Sequence, residues 1–339
     1  AVVLVLCIGL LSATPVPAQN KTNRTTKKQE KQRPKNKKQK RSAKATKASG
    51  SVKERVAKLR KEGREKKWTF EVGPTGAMKY ELGRIARLNL PSDWRSKAKR
   101  QNRLATQLLE LDDKARRVYQ KQLLQKVKDA AIRLPELLLK CAAGRSRFSW
   151  AYRGKVTAVK DQLNCGSCWA FAAMAAYEGS YAIRNNVHID TSEKYVVDCA
   201  TWPSGNDAGS CAGGWYDPVF TYMLTDGIAT EAAVPYVPVD GVCPGGVATP
   251  YRAVAWGFVT AKFNIPSVSQ IKQALCEYGP LAVAVRATPA FQAYTSGVFN
   301  EDNEGNVNHG VTIVGWDDQK GAWHVKNSWG TNWGIKGYM

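Results

Sequence analysis

Two cysteines three positions apart, Cys165 and Cys168, are the residues of this sequence best suited to chemistry. A Cys-x-x-Cys pair serves as a thiol–disulfide redox centre, as half of a metal site, or as a disulfide partner beside a nucleophile. A metal site needs further ligands, but no second Cys-x-x-Cys occurs, and His188, His309 and His324 lack paired ligand spacing. A redox centre calls for a strand-and-helix pattern around the pair, and none of the required kind surrounds it. A nucleophile needs a base and an orienting group elsewhere in the chain. Taken singly, His309 reads equally as a satisfied core histidine, Asn327 as a turn cap and Gln162 as a polar loop residue. His324, between Trp323 and Val325 in a strand-like run, reads as structural. His188, after Asn185-Asn186-Val187, reads as a surface residue.

The wider pattern narrows these choices. Cys165-Gly166-Ser167-Cys168-Trp169 resembles the signature of the papain family of cysteine proteases. His309 follows Cys168 in Asn308-His309-Gly310-Val311, and Asn327 lies further on in Lys326-Asn327-Ser328-Trp329-Gly330. Gln162 stands where the family keeps its oxyanion-hole glutamine. Cys211-Ala212-Gly213-Gly214, Ser192-Glu193 leading to Val197-Asp198-Cys199, and Trp329-Gly330-Thr331-Asn332-Trp333-Gly334 add to the match, which runs from about Arg147 to Met339.

The resemblance implies a nucleophile Cys168, a general acid–base His309, an orienting Asn327, and an oxyanion hole from the Cys168 backbone N–H and the Gln162 side chain. It implies Trp329 shielding the His–Asn hydrogen bond, with Gly213, Gly214, Ala284 and Val307 lining the cleft near an apolar P2 side chain. It also implies disulfides Cys165–Cys211 and Cys199–Cys243. Cys276 is expected as a buried free thiol, and Cys141 has no assigned partner. No cofactor or metal is called for. The implied fold is α+β, a helical subdomain around Cys168 and a β-rich subdomain carrying His309 and Asn327.

These residues must be positioned by elements the pattern foretells. A helix is expected from Cys168, since Trp169 to Tyr177 contains no breaker, and another over Val268–Glu277 before Gly279-Pro280. Strands are expected at Leu281–Val285 and Val311–Gly315. Leu104, Leu108, Leu111, Ala115 and Val118, then Val127, Ala130 and Leu134, recur at helical spacing, with a break or kink at Pro135. A prosegment packed on the enzyme fits their position. The family's usual spaced Glu/Arg/Phe/Asn/Ile helix pattern is missing there, and Ser149-Trp150-Ala151 replaces its usual Asp-Trp-Arg.

The charge of +23 over 339 residues is uneven. Residues 21–67 hold 21 basic and 4 acidic side chains, whereas 146–339 hold 13 and 16. The organisation expected is therefore a signal peptide over 1–18, a disordered basic linker over 19–67, a helical prosegment-like region over 68–145 and a peptidase domain over 146–339. The chain starts at Ala1 rather than Met and stops at Met339 inside an expected strand, which reads as a clipped leader and a peptidase lacking its C-terminal end. Export to an extracellular, periplasmic or lysosome-like compartment follows, with disulfides permitted. No segment is long enough to span a membrane.

The function expected is a cysteine-type peptidase working through a thiolate and a thioester acyl-enzyme, an endopeptidase made as a secreted precursor and acting as a monomer on peptides or proteins. Residues 21–67 would bind polyanions weakly, without specific nucleic-acid readout. The alternatives are an inactive papain-like binding protein with a polyanion-binding arm, and an oxidoreductase using Cys165 and Cys168.

Overall fold

The computed structural model describes residues 4–9, 50–94, 98–110, 141–260, 265–302 and 304–339. Its centre is the helix Cys168–Asn185, buried on every side from Cys168 to Ala182. The alanine-rich run favours a helix, and small side chains let neighbouring elements approach from all directions. The helix ends at Asn186, in the left-handed region with φ 56°.

On one side of this helix lie the helices Glu193–Cys199 and Tyr216–Thr225, sharing a core with Trp169, Tyr177, Val196, Phe220 and Met223. On the other lies an antiparallel sheet ordered Ala322–Lys326, His309–Asp317, Leu281–Val285, Leu4–Gly9, Ala253–Phe258, with Arg147–Ser149 also paired to His309–Asp317. A second core, with Leu281, Val283, Ile313, Trp316, Phe291 and Trp333, fills that half. The papain-like pairing of a helical and a β-rich half is thus present. The helix Val268–Tyr278 and the strand Leu281–Val285 lie where the pattern placed them.

The N-terminal half departs from the expected division. Val52–Glu65 is a helix, although composition assigned residues 19–67 to a disordered tract. Ser51 and Glu54 close a capping box at its start, and Val56 and Leu59 bury one side, enough to fix a helix whose remaining surface is charged. Region 68–145 is not uniformly helical: Phe70–Val72 is a strand paired with Tyr294–Gly297, and residues 86–91 form no helix. Residues 98–110 are helical, but Leu104 is exposed, and Ala98 and Ala105 face inward instead. Asn102 explains the rotation, since its side chain accepts from Phe258 N–H and donates to Phe258 C=O, docking that face on the strand edge. Leu111, Ala115, Val118, Val127, Ala130, Leu134 and Pro135 lie outside the described residues. Leu4–Gly9, within the expected leader, is a strand between Ala253–Phe258 and Leu281–Val285. Its Leu/Val/Ile run suits an internal strand as well as a leader.

Cys165–Cys211 and Cys199–Cys243 are disulfides. Cys276 is not a free thiol: it is bonded to Cys141. Sequence could not pair them, because they are 135 residues apart and meet only once the helix Val268–Tyr278 packs beside the start of the peptidase domain. Cys168 is a free cysteine.

A charge cluster sits behind the seam between the two halves. The Lys160 ammonium lies 2.7 Å from Asp190, 2.8 Å from Glu193 and 3.7 Å from Glu178. Glu178 also accepts from the Thr191 N–H and hydroxyl, both at 2.8 Å. Replacing Lys160 by Met should leave the buried Glu178 and Glu193 without their cation. The expected loss is roughly 3–5 kcal/mol of folding stability, read from the shift of a urea midpoint.

Candidate active site

Cys168 opens the central helix, so its sulfur sits at the end where backbone N–H groups are unsatisfied. Its residue is fully buried. Burial pushes the thiol upward, while the N–H groups of Gly310, Arg87, Trp169 and Cys168 itself pull the other way. His309 begins the strand His309–Asp317, and its pairing with Val285 fixes the strand's register. A Cβ at Gly310 would come within 3.0 Å of the Cys168 carbonyl, so the strand start meets the helix start at van der Waals distance.

Asn327, just past the strand Ala322–Lys326, accepts from His309 Nε2 at 2.8 Å. The Asn327 oxygen also accepts the Ser328 N–H at 2.8 Å, which orients the amide. With Nε2 as donor, the neutral imidazole keeps its lone pair on Nδ1, a buried atom with no other hydrogen-bond partner. Trp329 stacks on the imidazole at 4.5 Å, and Phe291 meets both rings edge-on. Burial lowers His309 to about 4, with the Asn327 hydrogen bond opposing.

Gln162 is fully buried beside the helix start. Its amide donates to Ile85 C=O at 2.9 Å and Cys165 C=O at 2.7 Å, and its oxygen accepts from the Ser328 hydroxyl at 2.8 Å. The expected residues Cys168, His309, Asn327 and Gln162 are therefore brought to one seam, with Trp329 over the imidazole.

The seam is covered by the chain's own residues 85–89. Asn89 N–H donates to Gly214 C=O at 2.9 Å, Gly214 N–H to Arg87 C=O at 3.2 Å, and Leu88 N–H to Asn308 C=O at 2.8 Å. The ladder with Gly214 is parallel. Gly213 has φ 116°, and a Cβ there would strike Arg87 C=O and Asn89 at 2.5 Å. Leu88 is buried in the same cluster as Ala284, with Val307 packed against it. Arg87 and Asn89 thus lie along Gly213 and Gly214, and Leu88 joins the core cluster that holds Ala284 and that Val307 packs against.

Sequence reasoning missed Ile85 to Asn89, for which no local signal exists. It also missed Ser328, although it adjoins Asn327, and Tyr236, whose hydroxyl donates to Gln162 C=O at 2.9 Å and bonds Ser167 at 2.8 Å. His324 hydrogen-bonds Ser149 at 2.7 Å and lies between Tyr152 and Tyr338, apart from the seam.

With this geometry in place, comparison with known proteins decides the family. Residues 145–339 match the papain family cysteine proteases. This chain belongs to the papain family. Papain-family relatives include cathepsin L of Sarcophaga peregrina, 42% identical over 199 residues, covering 56% of each chain. Digestive cysteine proteinase 3 of Homarus americanus is 39% identical over 196 residues, covering 56% of this chain and 59% of that one. The chain thus spans just over half the length of the relatives it matches. Two solved structures extend further along this papain-family chain. Digestive procathepsin L 3 of Tenebrio molitor larval midgut has a TM-score of 0.58 at 26% identity, covering 85% of this chain and 83% of its own. A recombinant stem bromelain precursor has a TM-score of 0.61 at 25% identity, covering 85% and 82%.

Two measurements follow from the covered seam. Leu88→Asp should loosen residues 85–89 by losing a buried leucine, worth roughly 2–3 kcal/mol. Alkylation of Cys168 by iodoacetamide should then run at least about 30-fold faster than in the parent chain. Acid should act in the same direction. Burial holds His309 and His324 at about 4, below their ordinary 6.5. Their neutral forms stabilise the fold fully above about pH 6.5, and that contribution is lost as pH falls toward 4. Glu193 is pushed up from 4.5 to about 8 by burial, with the Lys160 ammonium opposing, so its contribution is full below about 4.5 and is lost as pH rises from there through 8, against the histidines. The urea midpoint of the Cys168→Ala form should therefore fall between pH 6.5 and 4 by less than two histidines alone would give, and His324→Phe should remove half or more of that fall.

Proposed function

We propose that this chain is a cysteine peptidase precursor that hydrolyses peptide bonds through a Cys168 thiolate and is held inactive by its own residues 85–89. One observation carries the reading. The Gln162 amide, the helix start at Cys168 and the Gly214 backbone all bind a segment of polypeptide main chain. A groove whose donors and acceptors meet backbone amides is built for peptides.

With residues 85–89 displaced, substrate and water replace a dry cover, and the burial that keeps Cys168 and His309 neutral is relieved. The Cys168 proton then passes to His309 Nδ1, with Asn327 holding the ring through Nε2. The thiolate adds to the carbonyl carbon, and the developing oxyanion takes hydrogen bonds from the Cys168 N–H and the Gln162 amide. His309 gives its proton to the leaving amine, whose C–N bond breaks to leave a thioester. Water, deprotonated by His309, then attacks the thioester, and Cys168 departs as thiolate. Trp329 keeps water from the His309–Asn327 hydrogen bond. The apolar walls at Ala284 and Val307 favour an aliphatic side chain near the substrate's P2 position.

Export is proposed on three disulfides. Among the described residues, no helix is long and apolar enough to cross a membrane. Residues 21–67 are proposed to bind polyanions weakly, with Lys53, Lys58 and Lys61 exposed on the helix Val52–Glu65, and the processed enzyme to act as a monomer. The alternative of an inactive binding protein gains nothing from a site whose nucleophile position holds cysteine.

The test uses processed protein and a fluorogenic peptide carrying Leu at P2. Cys168→Ala should lose roughly 10⁴-fold or more in kcat. Gln162→Ala should lose about 10²–10³-fold with little change in KM, as for one oxyanion donor. Retained hydrolysis in the Cys168→Ala form would overturn the reading.

A further inference from the structure

The third disulfide differs in kind from the other two. Cys165–Cys211 and Cys199–Cys243 close loops within the peptidase domain. Cys141–Cys276 ties a residue upstream of the papain-family region 145–339 to the helix Val268–Tyr278 inside it. Both of its cysteines are partly exposed, whereas each of the others has one buried cysteine.

Between Cys141 and the strand Arg147–Ser149 runs a short turn. Ala142, Gly144, Arg145 and Ser146 are exposed, and a Cβ at Gly144 would meet nothing within 4 Å. Downstream of the turn the chain is anchored, because Arg147–Ser149 pairs with Asp317–Gly315 of the sheet. Upstream it is anchored by the disulfide. Everything that covers the groove, Ile85 to Asn89 included, lies on the Cys141 side.

We propose that proteolytic cutting in the turn at residues 142–146 yields a two-chain protein whose prosegment stays covalently attached through Cys141–Cys276, so that its release requires a dithiol reductant. This rests on the reading of the chain as an inhibited peptidase precursor. One thiolate of the dithiol attacks a sulfur of the Cys141–Cys276 bond, forming a mixed disulfide and expelling the other cysteine as a thiolate, which takes up a proton. The reductant's second thiol then displaces the attached cysteine and closes its own disulfide. Two electrons pass from dithiol to protein, and the two chains are then joined only by noncovalent contacts, among them the strand pairings of Leu4–Gly9 and Phe70–Val72.

The tether matters because Cys141 is only 53 residues from Leu88. Intramolecular attachment holds a segment at an effective concentration on the order of millimolar. An inhibitor with even about micromolar intrinsic affinity would then occupy the groove nearly all the time after the cut. Proteolysis alone would leave the enzyme inhibited, and reduction would release it.

The experiment uses the full chain carrying Cys168→Ala, with its disulfides formed, under limited digestion by subtilisin. The cut is mapped by mass spectrometry, and the products are run on denaturing gels with and without dithiothreitol. Expected is a cut within 142–146, one band without reductant and two with it. Separation without reductant, a free Cys141 thiol in the uncut fold, or cutting only upstream of Cys141 would overturn the proposal. This readout needs no peptidase activity, so it stands apart from the functional reading. In the catalytically intact chain, Cys276→Ser should reach full hydrolysis after cutting with a monothiol just sufficient to keep Cys168 reduced. The parent should lag at least tenfold until dithiol is added, and equal rates would overturn the tether's role.

Discussion

Removal of water from a thiol and an imidazole governs this molecule. Cys168 and His309 are fully buried, and burial drives both toward their neutral forms. Yet the thiol stands at a helix start among backbone N–H donors, and the imidazole has one nitrogen fixed and the other unpartnered. The groups are arranged for an ion pair that their surroundings suppress. The suppressing surroundings include the chain's own residues 85–89, so the cover that blocks the groove also sets the protonation state of what lies beneath it.

That arrangement depends on two halves of different construction meeting accurately. The helical half supplies the sulfur and its N–H groups; the sheet supplies His309 and, one strand further, Asn327. Neither half holds the other's group. The seam is fixed by contacts on either side of it. Ser328 bonds Gln162 across it, Gly310 admits the Cys168 carbonyl because it lacks a Cβ, and the Lys160 cluster fills its rear near Lys326 and Asn327. A partly buried cation held among three acidic side chains, two of them buried, tolerates little displacement, so the cluster acts as a register mark for the seam.

What could be read from the sequence follows from distance along the chain. Cys165 to Trp169 and Asn327 to Trp333 are short runs whose residue types carry their chemistry, and the helix and strands beside them have strong local patterns. The pairing of Cys141 with Cys276 and the ladder of residues 87–89 with Gly214 arise only from tertiary packing. The helix Val52–Glu65 was hidden by its own composition: two buried apolar residues and one capping box suffice when a neighbouring surface completes the core. Leu104 was placed on the wrong face because periodicity weighs side-chain hydrophobicity, whereas Asn102 set the rotation by bonding an open strand edge.

The cover is made of peptide and lies against a site we propose to cut peptide, which raises the question of why it would survive. Its hydrogen bonds provide the answer. A substrate must present a carbonyl carbon to Sγ with its oxygen between the Cys168 N–H and the Gln162 amide. Residues 85–89 present the Arg87 N–H to the sulfur instead. The carbonyl that reaches Gln162 belongs to Ile85, two residues away. The ladder with Gly214 runs parallel, so shifting the segment along its own axis changes which amide faces the sulfur without reversing its direction. The cover therefore satisfies donors and acceptors of the groove while offering the sulfur an N–H rather than a carbonyl. Inhibition as we propose it is a matter of which groups the segment presents as much as of affinity, and a groove filled with the right chemical groups in the wrong order remains closed without being consumed.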